Sequence, residues 1–359
     1  MAPLVTVLMT TFNGARLIGE SIDSVLAQTF RDFELLIVDD GSTDDTARIL
    51  AGYRDPRLRV LHNSGNLGVV KARNIGFAAS LGDYIAAQDH DDLSQPTRLE
   101  DQVAYLDSNP AIALVATEVL LSEQGRLRPT DHAADHCPSV LRWQFLVDNP
   151  LTWSSVMFRA EVVRRMGVFM RTQYELADDF DFYHRLLRVG DIGRLAEPLT
   201  VYRWHATNAS RERAPLLRAN AVKVLREAYA NWLGADADEA AELVIRHLSG
   251  RQPIEDAATL DRLGAYLGRL LHQYSDARQL SPEGRARIAA HAGRTWWLAV
   301  RGAVRRGRPW LVRAFHQRQT LAEAFRPPVG DIVVSCAAGA ARSVTLTTRK
   351  LSRSAPRRA

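Results

Sequence analysis

The stretch "AAQDHDDLSQP" sets three carboxylates, Asp89, Asp91 and Asp92, within four positions, directly after the apolar run Tyr84–Ala87. Like charges this close destabilise one another's ionised forms, and a bound cation is one reason to hold them together. A hard divalent ion such as Mg2+ or Mn2+ takes oxygen ligands, typically one or two carboxylates plus substrate phosphates. Taken alone, the same string also suits the acidic first turn of a helix after Pro96.

Three other stretches carry compatible chemistry. "TTFNG" (10–14) offers an aromatic ring beside two hydroxyls, where a planar base can stack and pair. "VDDGS" (38–42) offers carboxylates and a turn suited to accepting hydrogen bonds from a base or ribose. "NLGVVKARN" (66–74) places Gly68, Lys71 and Arg73 at a helix start, where dipole and cations face a diphosphate.

The elements that must position these residues alternate. "VTVLMT" (5–10), Leu35–Val38, "RLRVLHN" (57–63) and "DYIAAQ" (83–88) read as strands. Residues 16–28, a segment capped by Thr43 and running to about Ala51, and "LGVVKARNIGFAAS" (67–80) read as helices between them. This pitch implies βαβ units and a mostly parallel sheet, in which ligands bind beyond the carboxyl ends of the strands. Every polar cluster named so far falls at such an end. A helix at 97–106 and a strand at 111–119 follow, then a polar, irregular segment, 121–138, expected to be a mobile loop. A strand and helix from "LTWSSVMFRAEVVRRMG", an acidic helix start in "ELADDFDFYHRLLRVG" and a closing strand in "EPLTVYRWH" complete this part.

In this order and spacing, "TTFNGARLIGESIDSVLAQTFRDFELLIVDDGSTDDT", "NLGVVKARNIGFAAS", "DYIAAQDHDD" and "ELADDFDFYHRLL" resemble the family 2 glycosyltransferases of the GT-A fold, over residues 3–210. The resemblance implies an α/β, Rossmann-like, mostly parallel sheet flanked by helices. It implies a nucleotide-diphosphate-sugar donor, a UDP-sugar first among them, Mg2+ or Mn2+, and inversion at the anomeric carbon. Residue by residue, it implies that Thr10 and Phe12 line the base pocket, with Phe12 standing where members often have Tyr. Asp40 then accepts a hydrogen bond from the base, while Asp39 supports its turn. Asp89 meets ribose or donor sugar, and Asp91 binds the metal bridging the diphosphate. Asp92 supports the site or caps the following helix. Arg73 is either a diphosphate or sugar contact or an intrahelical surface Arg. An acceptor hydroxyl has a high pKa and needs a base; Asp179 falls on that position, and Asp178 replaces the more usual Glu. His205 follows the closing strand near the metal or diphosphate. Trp153 is open to two uses, stacking on an acceptor sugar or burial in the core.

The expected domains are a catalytic one over 1–212, a helical region over 213–326 and a basic, disordered tail over 327–359. From Arg285 to Ala359 sixteen Lys and Arg stand against two acids, so this quarter carries +14 within a net charge of +5. Trp296, Trp297 and Trp310 among these Arg residues suit either an anionic membrane surface or packing against the catalytic domain. No apolar stretch approaches the roughly 20 residues of a bilayer span, and no signal peptide is expected after Met1-Ala2-Pro3-Leu4. Two cysteines, Cys137 and Cys336, fit a reducing compartment. The expectation is a cytoplasmic enzyme, peripheral on the inner face of the membrane through its basic region. Its acceptor is a glycan or lipid-linked saccharide of the cell envelope, and nucleic acid is no partner. A nucleotidyltransferase would show a Gly-rich basic loop where "TTFNGARL" stands. A non-catalytic sugar-binding or scaffold descendant would have lost the D-x-D or the base, and both are present.

Overall fold

The structure, a computed structural model, describes residues 2–130, 136–206 and 208–354, which divide into two compact units. The first comprises residues 1–145 and 149–224, the second 146–148 and 225–359.

In the first unit, β1 (Val5–Thr11), α1 (Ile18–Leu26), β2 (Phe33–Asp39), α2 (Thr46–Gly52), β3 (Leu58–His62), α3 (Val69–Ala79) and β4 (Tyr84–Asp89) follow the expected alternation. Then come β5 (Leu93–Ser94), α4 (Arg98–Ser108), β6 (Ile112–Glu123), β7 (Arg126–Pro129) and α5 (Pro138–Gln144). The rest is β8 (Val156–Arg159), α6 (Ala160–Met166), α7 (Asp178–Leu186), β9 (Asp191–Trp204), α8 (Ala209–Glu212) and the start of α9 (Ala214–Leu233). The sheet order is β3-β2-β1-β4-β8-β6-β9-β5, with β7 paired to β6. Strands β3, β2, β1 and β4 are mutually parallel, and β8 runs antiparallel between β4 and β6. Both faces of β1 and β2 are covered, as parallel strands require: Val5, Val7 and Met9 pack with Leu35, Ile37, Ile22 and Val25 in one core.

Gly82 sets the approach of β4 to β1. Its amide donates to Thr6 Oγ1 at 2.9 Å, and a Cβ there would stand 2.4 Å from Thr6 N and 2.7 Å from Val5 C. Those are backbone atoms that cannot swing aside. Gly82→Ala is therefore expected to lower stability by about 1–3 kcal/mol, read as a lower denaturation midpoint with an unchanged slope.

The structure corrects three local expectations. Thr43 does not cap α2: its amide donates to Asn13 Oδ1 at 2.8 Å, and Asp44 receives the Thr46 amide instead. The segment 121–138 is not one loop, because Gln124 and Gly125 both take positive φ and close a two-residue hairpin with Glu123 opposite Arg126; residues 131–135 lie outside the described residues. The first unit does not end at 212 but runs into α9, whose start is tied down by Arg213 to Glu175 (2.6 Å) and Asn220 Nδ2 to Glu175 O (2.9 Å).

The second unit is helical: α10 (Ala237–Val244), α11 (Ala257–Ala277), α12 (Pro282–Arg305), α13 (Val312–Gln317), α14 (Gln319–Ala324) and α15 (Val329–Ser354). Trp296 and Trp297 are its core, 0% and 2% exposed. Trp297 packs edge-on to Phe315 at 5.4 Å and donates to Asp331 at 2.9 Å, so neither ring is offered to a membrane. Where disorder was expected from 327, α15 runs from Val329 to Ser354; residues 355–359 lie outside the described residues. The small residues of α15 let it pack closely without large apolar side chains, which is why composition pointed to disorder. No described helix is long and apolar enough to cross a membrane.

Candidate active site

The parallel register lines up the polar strand ends. Thr10 lies between Val38 and Asp89, Thr11 opposite Asp39, and Asp39 opposite His62. Just beyond, Phe12 is 42% exposed, an open ring at the sheet edge, while Thr10 is 8% exposed. Thr11 Oγ1 is buried without a hydrogen-bond partner among the described residues. Asn13, at φ 53, locks this loop to the next: its amide donates to Ser42 Oγ, and its side chain accepts from Thr43.

Asp39 accepts from the Ser42 amide at 3.0 Å, closing the turn as expected, and meets His62 Nδ1 at 3.1 Å. Asp40 differs from expectation. It is buried, and its two oxygens accept from Asn63 Nδ2 and the amides of Leu67 and Gly68, at 2.7–3.1 Å. The carboxylate expected to receive a base therefore latches the turn that opens α3. Gly41, at φ 75, lets that turn close: a Cβ there would stand 2.6 Å from the Gly65 backbone.

Asp89, Asp91 and Asp92 each present one carboxylate oxygen within 4.8 Å of the other two. Their surroundings divide them. Asp92 is wholly buried, one oxygen accepting from Ser154 Oγ and the other from the Arg203 amide. Burial, then the charges of Asp91 and Asp89, push its carboxyl well above the usual range. Asp91 is partly exposed, with Oδ2 held by His205 Nε2 at 2.9 Å and Asn208 Nδ2 at 3.3 Å. Asp89 is raised by burial and by Asp91, against the opposing pull of Arg73. Arg73 engages Asp89 Oδ1, with the Ser154 hydroxyl also favouring the charged form of Asp89, and both His205 and Asn208 engage Asp91 Oδ2. Three clustered carboxylates beside an imidazole, their charge only partly offset by Arg73, are a donor set that fits a hard divalent ion. Asp92, fully engaged, supports the cluster from beneath.

Arg73 joins this cluster to a distant segment. Its guanidinium donates to Asp178 Oδ2 at 2.7 Å and to Asp89 Oδ1 at 3.2 Å, and lies 4.5 Å from the centre of the Trp153 ring. Buried rather than on the helix surface, it stays charged because Asp178, Asp89 and Asp179 more than offset its desolvation. Trp153 is core, packed among Phe158, Phe169 and Phe182, with its face given to Arg73 and not to a sugar. Lys71 points to solvent.

Asp178 and Asp179 open α7, two residues after Leu176, which is held at φ 68. Asp178 is 1% exposed and spent on Arg73. Asp179 is more open; Asn149 Nδ2 donates to one oxygen at 3.1 Å and the Phe180 amide to the other at 2.7 Å. Burial, then the charge of Asp178, push its carboxyl up to about 7, with Arg73 opposing. A carboxylate poised there is suited to accept a proton near neutral pH.

The expected residues Thr10, Phe12, Asp39, Asp89, Asp91, Asp92 and His205 gather at one sheet edge, and Arg73 ties Asp178 to Asp89. Sequence reasoning missed Ser154, Arg203, Asn208 and Asn149. Arg203 is the most deeply engaged, reaching Asp91 O, Leu17 O and Glu20 as well as Asp92. Only the H-x-x-N spacing of His205 and Asn208 hinted at any of them.

Residues 6–167 match the family described as Glycosyl transferase family 2. EpsE of Bacillus subtilis, a provisionally named glycosyltransferase, is 33% identical over 193 residues, 52% of this chain and 68% of that protein. An uncharacterized glycosyltransferase of Haemophilus influenzae is 29% identical over 252 residues, 65% of this chain and 76% of that one. Among solved structures, S. aureus TarS 1–349 in complex with UDP-GlcNAc is similar with a TM-score of 0.54 at 18% identity, covering 96% of this chain and 91% of that one. That likeness concerns the fold, the GT-A sheet with flanking helices and a helical C-terminal region. With the motifs gathered at one sheet edge and tied through Arg73 to the Asp178–Asp179 pair, and a relative one-third identical across two-thirds of its length, the chain belongs to glycosyl transferase family 2.

Proposed function

We propose that the chain transfers a sugar, with inversion, from a nucleotide-diphosphate-sugar to a hydroxyl of a glycan or lipid-linked acceptor in envelope polysaccharide or glycolipid synthesis. The observation that carries this reading is the Arg73 bridge. It ties the acids at the end of β4 to the Asp178–Asp179 pair, 105 residues from Arg73 itself, so a metal-type cluster and a base near neutrality share one network. Phe12 supplies the face on which the base stacks, beside Thr10. Asp91, with His205 beside it, would hold Mg2+ or Mn2+, whose charge would stabilise the departing diphosphate. Asp89 orients the ribose or donor sugar. Asp179, aimed by Asn149 and the Phe180 amide, takes the acceptor's proton as the new bond forms. Holding donor and acceptor in line removes much of the entropic barrier.

TarS binds UDP-GlcNAc in its crystal, which makes UDP-sugars the first donors to test. With a nucleotide-sugar about 100-fold above its Kd, the folded state gains about 2.7 kcal/mol. A thermal-shift screen should show this gain only when Mn2+ or Mg2+ is present, and Asp91→Ala should abolish it. If no nucleotide-sugar stabilises the wild-type chain with either metal, the reading fails.

A further inference from the structure

The outer face of α15 takes no part in the site. This helix lies on α12 through one stripe. Asp331 pairs with Arg301 at 3.2 Å and Arg305 at 2.9 Å, and the buried Ser335 accepts from Arg305 Nε at 2.8 Å. Gly339 follows at the same interval, so close that a Cβ there would stand 2.2 Å from Val304 O. A contact repeated every four residues turns the opposite face outward. On that face Val333 and Val334 are 60% and 59% exposed, followed by exposed Ala337 and Ala341, and Val329 at the start is 75% exposed. Trp310, 53% exposed, belongs to the turn whose Pro309 lies against Gly339.

Single exposed valines are ordinary, but this stripe is continuous and carries no charge from Ile332 to Ala341. No Asp or Glu follows Asp331 to the end of the chain. The charges that do follow are all basic: Arg342, Arg349, Lys350, Arg353, Arg357 and Arg358. An exposed apolar helix face, followed in the sequence by charges that are all basic, complements an anionic bilayer, which offers an apolar layer beneath negative headgroups.

We propose that the outer face of α15 seats this chain on an anionic lipid bilayer, with Val333 and Val334 entering the headgroup boundary and the basic residues drawing the helix down. The proposal is independent of the transfer reaction. The test sediments the full chain with phosphatidylcholine vesicles and with vesicles in which about one lipid in three is phosphatidylglycerol. The chain should pellet with the anionic vesicles alone, and should release as salt is raised to about 0.5 M. V333D/V334D should weaken pelleting about tenfold or more, and the charge reversal R349E/K350E should weaken it as well. Both valines are exposed, so an unchanged melting curve confirms that the first variant is folded. Pelleting of V333D/V334D equal to wild type, or no pelleting with anionic vesicles, overturns the proposal. So does a lipid-free dimer that V333D/V334D dissolves, which would assign the face to a second copy.

Discussion

Asp179→Asn is expected to lower the turnover of transfer by about 10²–10⁴-fold, the range a positioned general base contributes, while leaving metal-dependent donor binding unchanged. The amide keeps the shape of the carboxylate and loses the ability to take a proton. Stability should not fall above neutral pH, because the substitution removes a charge that burial and Asp178 already disfavour. That separates loss of the base from loss of the fold. The pH profile gives a second reading. A base must be deprotonated, so kcat/KM should drop about tenfold per unit of pH below about 7 and level off above it. Asp178→Asn removes the neighbouring charge that holds Asp179 up, so the acid limb should move to lower pH. Full turnover in Asp179→Asn, or a flat profile from about pH 5 to about pH 8, would remove Asp179 from the mechanism.

What could be read in advance follows from locality. Thr10, Asp39 and Asp89 each end an apolar run, and parallel pairing must bring such ends to one edge, so the edge was legible before any contact was known. Ser154, Arg203 and Asn208 act on Asp91 and Asp92 from 62 to 117 residues away, and no local pattern encodes those meetings. Asp40 shows a subtler failure. Its place in "VDDGS" predicted an outward acceptor, yet the amides of Leu67 and Gly68 needed a partner, and the nearest carboxylate turned in to meet them. The Trp296–Trp297 pair failed for another reason. A basic, aromatic helical period looks the same whether its apolar side meets lipid or the core of a helical unit, and here Phe315 and Asp331 decide it.

Arg73→Met should produce the largest loss of stability, about 3–5 kcal/mol, because it removes one partner of a buried ion pair and strands the other. The side chain of Asp178 is 2% exposed and has no second cation in contact among the described residues, while Asp89 keeps the weaker support of His90 and Ser154 against the charge of Asp91. Lys at this position restores charge without the fork that reaches both carboxylates, or the flat face that lies on Trp153, so Arg73→Lys should recover only part of the loss. The pair itself need not be worth that much. If the cost arises from the stranded carboxylate, Arg73→Met/Asp178→Asn should be more stable than Arg73→Met alone, a non-additivity that denaturant titration of the four species measures directly. The pH profile distinguishes this from simple unfolding. Arg73 holds the Asp179 carboxyl down, so its removal should carry the acid limb above about 7, opposite to the shift expected of Asp178→Asn. Additive stabilities, or limbs that move in the same direction, would mean that Arg73 does not couple the metal-type cluster to the base.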